Sequence, residues 1–280
     1  MDSGNIGFVL LCAAFVFVMT PGLAMFYGGL VRKKNVVNTM MTSIFIIGVG
    51  IVMWVLFGYS LSFAPSGNAF IGDFRWLGLE GVSLTEGYTD GASIPNMVFS
   101  AFQMMFAVIT PALITGAVAG RMKFKSIFVF TIFWSLIVYY PLAHMVWGQG
   151  GLLGADGIGA LDFAGGDVVH ISSGVSALVL CILLGKRHDY EHSIYRIHNI
   201  PTVVLGASLL MFGWFGFNAG SALAADGLAA HAFMTTGVSA AAAMLSWMLC
   251  DVIKNKKPTL IGASTGMVAG LVGNTPGAGF

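Results

Sequence analysis

Two ionisable residues, Asp162 and His170, stand close together where a long apolar stretch of the sequence begins. An ionisable side chain surrounded by lipid is costly, and such residues usually mark a path for an ion or a proton. A neutral imidazole donates one hydrogen bond and accepts another, which suits a relay or a narrow pore. We therefore interpret His170 as a pore or relay residue in preference to a packing residue. Asp162 stays open between a helix cap and a functional carboxylate. His144 stays open as well, because near the end of the fourth span it could as easily face interfacial water.

Aromatic residues form a second group of candidates because several of them have polar neighbours in the sequence. The rings are Phe102, Phe106, Trp147, Trp214, Phe215 and Phe217, and the polar neighbours are Gln103, Asn218 and Ser221. Aromatic residues also form belts at membrane interfaces, and Trp147 taken alone fits a belt. A ring face attracts a cation, however, and a hydroxyl or carbonyl oxygen accepts a hydrogen bond from it. The combination favours a site for a small cation that donates hydrogen bonds.

A third pattern, around Ser264, offers chemistry of a different class. Gly262, Ser264 and Gly266 match G-x-S-x-G, which in serine hydrolases requires a strained strand-to-helix turn. Here the pattern lies in a predicted helix, and with Gly270 the glycines form a ladder of small residues that is typical of close helix packing in membranes. We favour packing, and keep a rhomboid-like intramembrane serine protease as the alternative.

The composition indicates that lipid, rather than water, surrounds most of the elements that position these residues. Of 280 residues, 57% are hydrophobic and only 9% are charged, whereas an average soluble domain carries about 25% charged residues. The formal net charge is only +1, so the protein lacks the excess of positive charge that binding to a nucleic acid requires. Cys12, Cys181 and Cys250 each lie in an apolar run, so we interpret them as packing residues. No cofactor or metal site is expected.

Eight apolar runs approach the length of about 20 residues that a membrane-spanning helix requires. They are predicted at 6–30, 39–63, 95–120, 127–147, 168–185, 200–219, 228–250 and 260–279. The sequence therefore predicts an all-α polytopic protein of the cell membrane, with residues 1–280 forming one domain. The connection 64–94 is expected to be an ordered or semi-ordered external loop.

The basic residues predict the orientation, because positively charged loops stay on the cytoplasmic side. One side of the predicted bundle holds Arg32, Lys33, Lys34, Arg121, Lys123, Lys125, Lys186, Arg187, Arg196, Lys254, Lys256 and Lys257, and the other holds only Arg75. The acids Asp189, Glu191 and Asp251 share the basic side. We therefore expect the N-terminus to be external. Because the chain ends at Phe280 without a polar tail, we also expect it to continue beyond that residue.

Two long motifs resemble those of the ammonium transporter (Amt/Rh) family, in its Amt branch. Asp162–Gly174 (DFAGGDVVHISSG) is closely similar to the family signature, and Trp214–Ser221 (WFGFNAGS) matches a second motif. The similarity extends to Thr20–Gly29, to Phe102 and Gln103 with Phe106, and to Met145–Gly148. It covers essentially the whole chain and implies a trimer of eleven-span subunits, each built from two inverted halves around its own pore. Eight of those eleven spans would be present.

The resemblance implies roles for the external residues. Trp147, Phe106 and Ser221 would form the ammonium site at the mouth of the pore. Asp162 would support recruitment and deprotonation of the ion. Neutral ammonia would then be the conducted species, and potassium would be excluded because it has no proton to lose.

The same resemblance implies roles deeper in the pore. Phe106 and Phe217 would form the stacked pair that closes the site, His170 would be the first of two pore histidines, and Trp214 would line the pore. It also implies a cytoplasmic regulator of the PII type. An ammonium sensor with a signalling domain after residue 280 and a gas channel of the Rh kind remain the alternatives within the family, and Trp147 with Ser221 favours the Amt branch.

Overall fold

Helices and connecting loops make up the computed structural model, which describes residues 1–155, 157–187, 190 and 195–280. The principal helices are α1 (Ser3–Leu30), α2 (Lys33–Phe63), α3 (Asn96–Val118), α4 (Phe124–Trp147), α5 (Gly166–Leu184), α6 (Ile200–Gly220), α7 (Gly227–Asn255) and α8 (Leu260–Asn274). No β-strand occurs among the described residues. Helices are expected because a segment in lipid must satisfy its backbone hydrogen bonds internally. The predicted all-α class is confirmed.

Helices α1 to α7 are each long and apolar enough to cross a membrane. The eighth predicted span is shorter than expected, because α8 ends at Asn274 after 15 residues. The chain then tightens into a 3₁₀ turn, Thr275–Gly277. The residues predicted as the end of a span therefore form a turn.

Three of the helices contain one wide π-helical turn. These turns are Trp54–Gly58 in α2, Ser135–Tyr139 in α4 and Gly166–Ile171 in α5. A π turn adds a residue to one helical turn and is frequently found at functional sites. The turn in α5 contains His170, so the imidazole projects from a locally widened helix.

Glycines let α1 and α6 pack closely. A Cβ atom at Gly216 would lie 2.8 Å from Cβ of Phe15, and one at Gly220 would lie 2.6 Å from Cβ of Cys12. Small residues allow this approach of two backbones in a membrane protein. Neither glycine could carry a larger side chain without moving α1 away from α6.

The glycine ladder of α8 packs against α7. A Cβ atom at Gly266 would lie 2.6 Å from Cβ of Trp247, and one at Gly270 would lie 2.6 Å from Cβ of Ala243. Ser264, between the glycines, is 5% exposed and helical. The strained turn that a hydrolase nucleophile requires is therefore not formed around Ser264, and packing accounts for the motif.

This packing leads to a first prediction, in which Gly270→Ala is compared with Gly273→Ala on the same helix. The methyl group at position 270 meets α7, whereas a Cβ at Gly273 has no neighbour within 4 Å. We expect Gly270→Ala to destabilise the protein by about 1–3 kcal/mol. Gly273→Ala should be neutral or stabilising by up to about 1 kcal/mol, since alanine is the better helix former. Thermal unfolding in detergent measures both changes, and equal effects would contradict the prediction.

The long connection after α2 is an ordered loop that packs over one end of the bundle. The backbone N–H of Leu152 donates to the carbonyl oxygen of Ala69 over 2.9 Å, and that of Asn96 donates to Glu86 over 2.7 Å. The N-terminus joins the same face, because the N–H of Asp2 donates to the carbonyl of Ser93 over 2.8 Å. An ordered loop was among the expectations from the sequence.

His144 holds part of this loop and does not face interfacial water, which the sequence had left open for it. The residue is 0% exposed. Its Nδ1 lies 3.1 Å from the carbonyl oxygen of Ser62, and its Nε2 lies 2.7 Å from that of Asn68. A buried imidazole must find such partners because an unpaired polar group is costly. His144 therefore joins the end of α2 to the loop.

Basic residues lie at the end of the bundle opposite this loop, in the connections that follow α1, α3, α5 and α7. Arg75 lies instead in the long loop, where its guanidinium contacts the carboxylate of Asp73 at 2.7 Å. Asp189 and Glu191 lie outside the described residues. The external position of the N-terminus stays a prediction.

Candidate functional site: a vestibule closed by two phenylalanines

A cavity of about 250 Å³ opens between the long loop and the ends of α3, α4 and α6. We call this cavity the vestibule. Its walls are Tyr88, Thr89, Phe99, Phe102, Gln103, Phe106, Trp147, Asp162, Phe163, Ser221 and Leu223. The structure thus brings Trp147, Phe106 and Ser221 together, although they come from three different parts of the chain.

Trp147 is the last residue of α4 and is turned inward. Its indole Nε1–H donates to the carbonyl oxygen of Asp162 over 3.0 Å. The indole meets the ring of Phe106 edge-on, with centroids 6.1 Å apart and planes at 87°. The hydrogen bond fixes the ring in the wall of the vestibule, and Trp147 does not point to lipid as a belt residue would.

Phe106 and Phe217 form a stacked pair at the floor of the vestibule. Their ring centroids are 4.2 Å apart and their planes meet at 30°. The two side chains are 1% and 0% exposed, respectively. Phe102 packs edge-on against Phe106 at 4.9 Å, which restricts movement of that ring. The pair is therefore a closed apolar barrier in this conformation.

His170 lies on the other side of this barrier. Its ring is nearly parallel to Phe217, with centroids 5.9 Å apart and an angle of 16° between the planes. Trp214 lies beside it, with a centroid distance of 5.3 Å. Trp147, Phe106, Phe217 and His170 thus form one continuous series of ring contacts that leads from the vestibule into the bundle.

Thr275 is a member of this cluster that the sequence did not reveal. Its Oγ1 lies 3.2 Å from Nε2 of His170 and accepts a hydrogen bond of 2.9 Å from Nε1 of Trp214. Thr275 is 0% exposed and stands in the turn after α8. A threonine near the end of an apolar run carries no sequence signal of its own, because threonine also caps helices and packs.

Asp162 accepts four backbone hydrogen bonds at the start of α5. Its Oδ1 accepts from the N–H groups of Gly165 and Gly166 at 2.6 Å, and its Oδ2 accepts from those of Asp167 and Val168 at 2.8 and 3.0 Å. Burial raises the pKa of this carboxyl group, and the four N–H donors oppose that rise. The cap that the sequence left open is therefore present, and both oxygens are engaged by the backbone.

Ser221 presents acceptor capacity to the vestibule. Its hydroxyl donates to the carbonyl oxygen of Phe217 over 2.8 Å. A serine hydroxyl has one donor and two lone pairs, so the lone pairs are left to accept. Gln103 also lines the vestibule, and its buried Oε1 has no hydrogen-bond partner among the described residues.

Two residues that the sequence associated with the site point elsewhere. Asn218 is 0% exposed, and its Nδ2 donates to Oγ1 of Thr236 on α7 over 2.8 Å. Phe215 stacks on Phe233, also on α7, at a centroid distance of 4.2 Å. Both side chains therefore serve the contact between α6 and α7 and do not line the vestibule.

Tyr88 is a wall residue that comes from the loop without a recognisable motif. Its ring stacks on Phe99 with centroids 4.7 Å apart and planes at 4°. Its hydroxyl accepts from the backbone N–H of Gln149 over 3.2 Å. Burial raises the pKa of Tyr88 to about 12, so the phenol stays neutral and adds an aromatic face to the entrance.

Comparison with known proteins identifies the family to which the chain belongs. The profile of the Ammonium Transporter Family matches residues 7–280. The chain belongs to the ammonium transporter family. With membrane-length apolar helices from α1 to α7, it is a multi-pass membrane protein of that family.

Several relatives show the extent of the similarity to other ammonium transporters. An ammonium transporter of Bacillus subtilis (strain 168) is 53% identical, and the alignment covers 100% of this chain and 68% of the relative. One of Mycobacterium tuberculosis (strain ATCC 25618 / H37Rv) is 45% identical, with coverage of 98% and 62%. The chain thus spans about two thirds of the length of these relatives.

Solved structures of other proteins share the fold. The crystal structure of Mep2 from Saccharomyces cerevisiae superposes with a TM-score of 0.91 at 38% identity, covering 100% of this chain and 62% of that one. A structure described as "Sensor Amt Protein" superposes with a TM-score of 0.88 at 28% identity, covering 99% and 69%.

Proposed function

We propose that this chain transports ammonium across the cell membrane by recruiting the ion in the vestibule, deprotonating it and conducting ammonia past the stacked phenylalanines. The observation that carries the proposal is the position of Phe106 and Phe217 between a cavity lined by aromatic and polar side chains and the half-buried imidazole of His170. Residues 1–280 act in it as one transport domain.

Recruitment relies on the groups that line the vestibule. The ring faces of Trp147 and Phe106 attract a cation, with an expected contribution of about 0.5–2 kcal/mol each. Ser221 accepts a hydrogen bond from the ion because its own proton is engaged by Phe217. Water would satisfy the remaining N–H groups of ammonium. Potassium shares the charge of ammonium but cannot donate a hydrogen bond to Ser221.

Deprotonation explains how the ion can leave the vestibule. Moving a bare cation into the apolar barrier would cost several kcal/mol or more, whereas neutral ammonia avoids most of this penalty. Asp162 holds its two oxygens in four backbone hydrogen bonds. This arrangement supports a role in shaping the vestibule and supplying negative charge, rather than direct capture of the proton. His170 then forms a hydrogen bond with ammonia below the barrier.

A second prediction tests recruitment through Ser221→Ala. Loss of a hydrogen bond to a cation, worth about 1.5 kcal/mol, should raise the half-saturating concentration of methylammonium about tenfold. Ser208→Ala is the matched control, since Ser208 lies on α6, the helix that Ser221 directly follows, bonds the carbonyl of Val204 in the same way and is exposed away from the vestibule. Radiolabelled methylammonium uptake in vesicles measures both variants. An unchanged half-saturating concentration for Ser221→Ala would contradict the recruitment site.

The proposal includes a homotrimer and a cytoplasmic regulator of the PII type. Large apolar side chains are exposed on α1, α5 and α7, among them Leu11, Ile182 and Val238, and such faces suit both lipid and a neighbouring subunit. Family resemblance supports the PII-type partner. Native mass spectrometry of the purified protein tests the trimer, and co-purification with a PII-type protein tests the regulator.

A sensor is the second candidate, because the fold also matches the structure described as "Sensor Amt Protein". A sensor would keep the vestibule and bind ammonium without sustained flux. Uptake and binding distinguish the two functions. Saturable binding of methylammonium without accumulation in vesicles would favour sensing.

A further inference from the structure

We propose that Leu223 is a specificity-determining residue, whose side chain separates the vestibule from a second cavity and so limits the size of the alkylammonium ions that the vestibule accepts. The proposal rests on the proposed function for the identity of the ion. The size limit itself follows from the shape of the two cavities and from the backbone conformation of one leucine.

The second cavity has a volume of about 200 Å³ and adjoins the vestibule. We call it the side chamber. Four residues line both cavities and therefore stand between them: Tyr88, Thr89, Phe99 and Leu223. The rest of the side chamber is formed by residues 92–94 of the long loop and by the alanines on either side of Leu223. All of these residues except Ser93 are apolar, so the side chamber offers space that suits an alkyl group.

The two aromatic members of this shared wall are fixed by their neighbours. The ring of Phe99 lies parallel to that of Tyr88 and also meets Phe63 edge-on, with centroids 5.0 Å apart. The backbone carbonyl of Tyr88 accepts a hydrogen bond of 3.0 Å from Nε2 of Gln149. Loss of either ring would therefore disturb the core and the loop together. Leu223 is held by apolar packing against the core, so its side chain is the part of the wall that can be shortened with the most local effect.

The backbone of Leu223 adopts a conformation that normally selects glycine. Its φ angle is 58°, and in this left-handed region a Cβ atom comes too close to the following carbonyl oxygen. The residue lies in the turn after α6, where its N–H donates to the carbonyl oxygen of Gly220 over 2.9 Å. A left-handed residue very commonly follows a helix, and it is usually glycine. A leucine here costs free energy, and such strained residues cluster at functional sites.

The strain is explained if the side chain of Leu223 is needed in the wall. A glycine would satisfy the turn but would leave the vestibule joined to the side chamber. In the joined cavity, a larger ion could place its charged nitrogen against the rings of Trp147 and Phe106 and its carbon atoms in the apolar side chamber. With the leucine in place, the ion must fit in the vestibule alone.

The reactivity of a thiol in the vestibule tests the size limit without requiring that ammonium bind or be transported. Ser221→Cys places this thiol in the vestibule wall. Two cationic methanethiosulfonates of different size, the compact 2-aminoethyl reagent and the bulky 2-(trimethylammonio)ethyl reagent, are applied to the intact protein in detergent. Each rate is divided by the rate of the same reagent with free cysteine. Mass spectrometry of peptides separates the signal from that of the three native cysteines.

We expect the compact reagent to react faster than the bulky one in the Ser221→Cys protein. Addition of Leu223→Gly should accelerate the bulky reagent at least about tenfold, which corresponds to a barrier lowered by about 1.4 kcal/mol, and should change the compact reagent little. Leu223→Met keeps a side chain of similar volume and should keep the size limit. Leu223→Asn has a shorter side chain that tolerates the left-handed backbone, and it repeats the comparison if the glycine variant does not fold.

Leu79→Gly is the matched control. Leu79 also has a left-handed backbone, with a φ angle of 61°, but it is not among the described residues that line the two cavities. The substitution makes the same change of residue and of backbone freedom, so both rates should stay as they are. An equal gain for the bulky reagent in Leu79→Gly would show that a looser backbone, and not the wall, sets the rate, and it would overturn the proposal.

Two further results would overturn the proposal. One is equal reactivity of the two reagents in the Ser221→Cys protein, and the other is a bulky reagent that stays slow after the side chain of Leu223 is removed. Uptake then tests the consequence for the ion, because dimethylammonium should inhibit methylammonium uptake more strongly in Leu223→Gly than in the parent protein. A parent protein that takes up no methylammonium would contradict the proposed function, while the rates of thiol modification would still decide the size limit.

Discussion

Replacement of Asp162 by alanine is expected to abolish methylammonium uptake and to destabilise the protein by at least about 3 kcal/mol. The substitution removes the acceptor of four backbone N–H groups at the start of α5. Each buried donor left without its partner costs about 1–3 kcal/mol. Relaxation of the turn offsets part of the total cost of the four unpaired N–H groups. Because the carbonyl group of Asp162 also holds Trp147, a rearranged turn would move the indole out of the vestibule.

Asp226→Ala is a matched control for this prediction. Asp226 also begins a helix, but within the part of the chain that the structure describes its carboxylate accepts one backbone bond, from Ala229 at 2.9 Å, and the residue is exposed. Loss of an ordinary cap costs about 1 kcal/mol. Chemical or thermal unfolding in detergent compares the two variants, and uptake is measured at equal abundance in the membrane. Equal destabilisation by the two substitutions would contradict the structural role of Asp162.

Asp162→Asn separates the cap from the charge. An asparagine keeps one acceptor oxygen and places an NH₂ group against two N–H donors, so it should recover part of the stability lost in Asp162→Ala. If the vestibule also needs the negative charge, uptake should recover less than stability does. Complete recovery of uptake in Asp162→Asn would mean that Asp162 serves only as a helix cap.

The sequence predicts the helices well because membrane spans are defined by length and apolarity. The runs from α1 to α7 are uninterrupted over distances that cross a bilayer. The prediction fails where α8 ends, because Thr275 and Pro276 are apolar enough to extend the run but begin a 3₁₀ turn. Proline at the second position of that turn lacks an N–H group and does not extend an α-helix.

Within the site, helical periodicity separates the residues that line the vestibule and the series of rings from those that pack between helices. Trp214, Phe217 and Ser221 follow a spacing of three and four, which places them on one face of a helix. Phe215 and Asn218 share a different face and meet α7. Grouping all the polar and aromatic residues of the motif therefore included two that pack between helices.

The contacts that could not be predicted join distant parts of the chain. Thr275 lies 61 residues from Trp214 and 105 from His170, and neither partner shows a local pattern that identifies the other. Tyr88 reaches the vestibule because its loop folds over the bundle, a result of backbone bonds such as that between Asn96 and Glu86. Composition indicates which residues are suited to bind a cation, but only the tertiary structure shows which of them meet.

Replacement of His170 by alanine is expected to reduce methylammonium uptake at least about tenfold while membrane insertion stays unchanged. In the proposed mechanism the imidazole would provide the hydrogen bond that replaces water below the apolar barrier, and loss of a bond worth about 1.4 kcal/mol or more in that step lowers the rate tenfold or more. Insertion depends on the hydrophobicity of the spans and the distribution of lysine and arginine. Neither property depends on this side chain.

His231→Ala is the matched control, because His231 is exposed on α7 and lies outside the series of rings. Uptake by the intact protein is measured in vesicles that contain equal amounts of parent and variant, with a parallel measurement of potassium leakage. Uptake is the deciding readout, because potassium leakage stays low wherever the stacked phenylalanines alone exclude the ion. His170→Ala with parental uptake and parental exclusion of potassium would mean that the imidazole is a packing residue between Trp214 and Phe217, and conduction would then have to follow a route that avoids the ring.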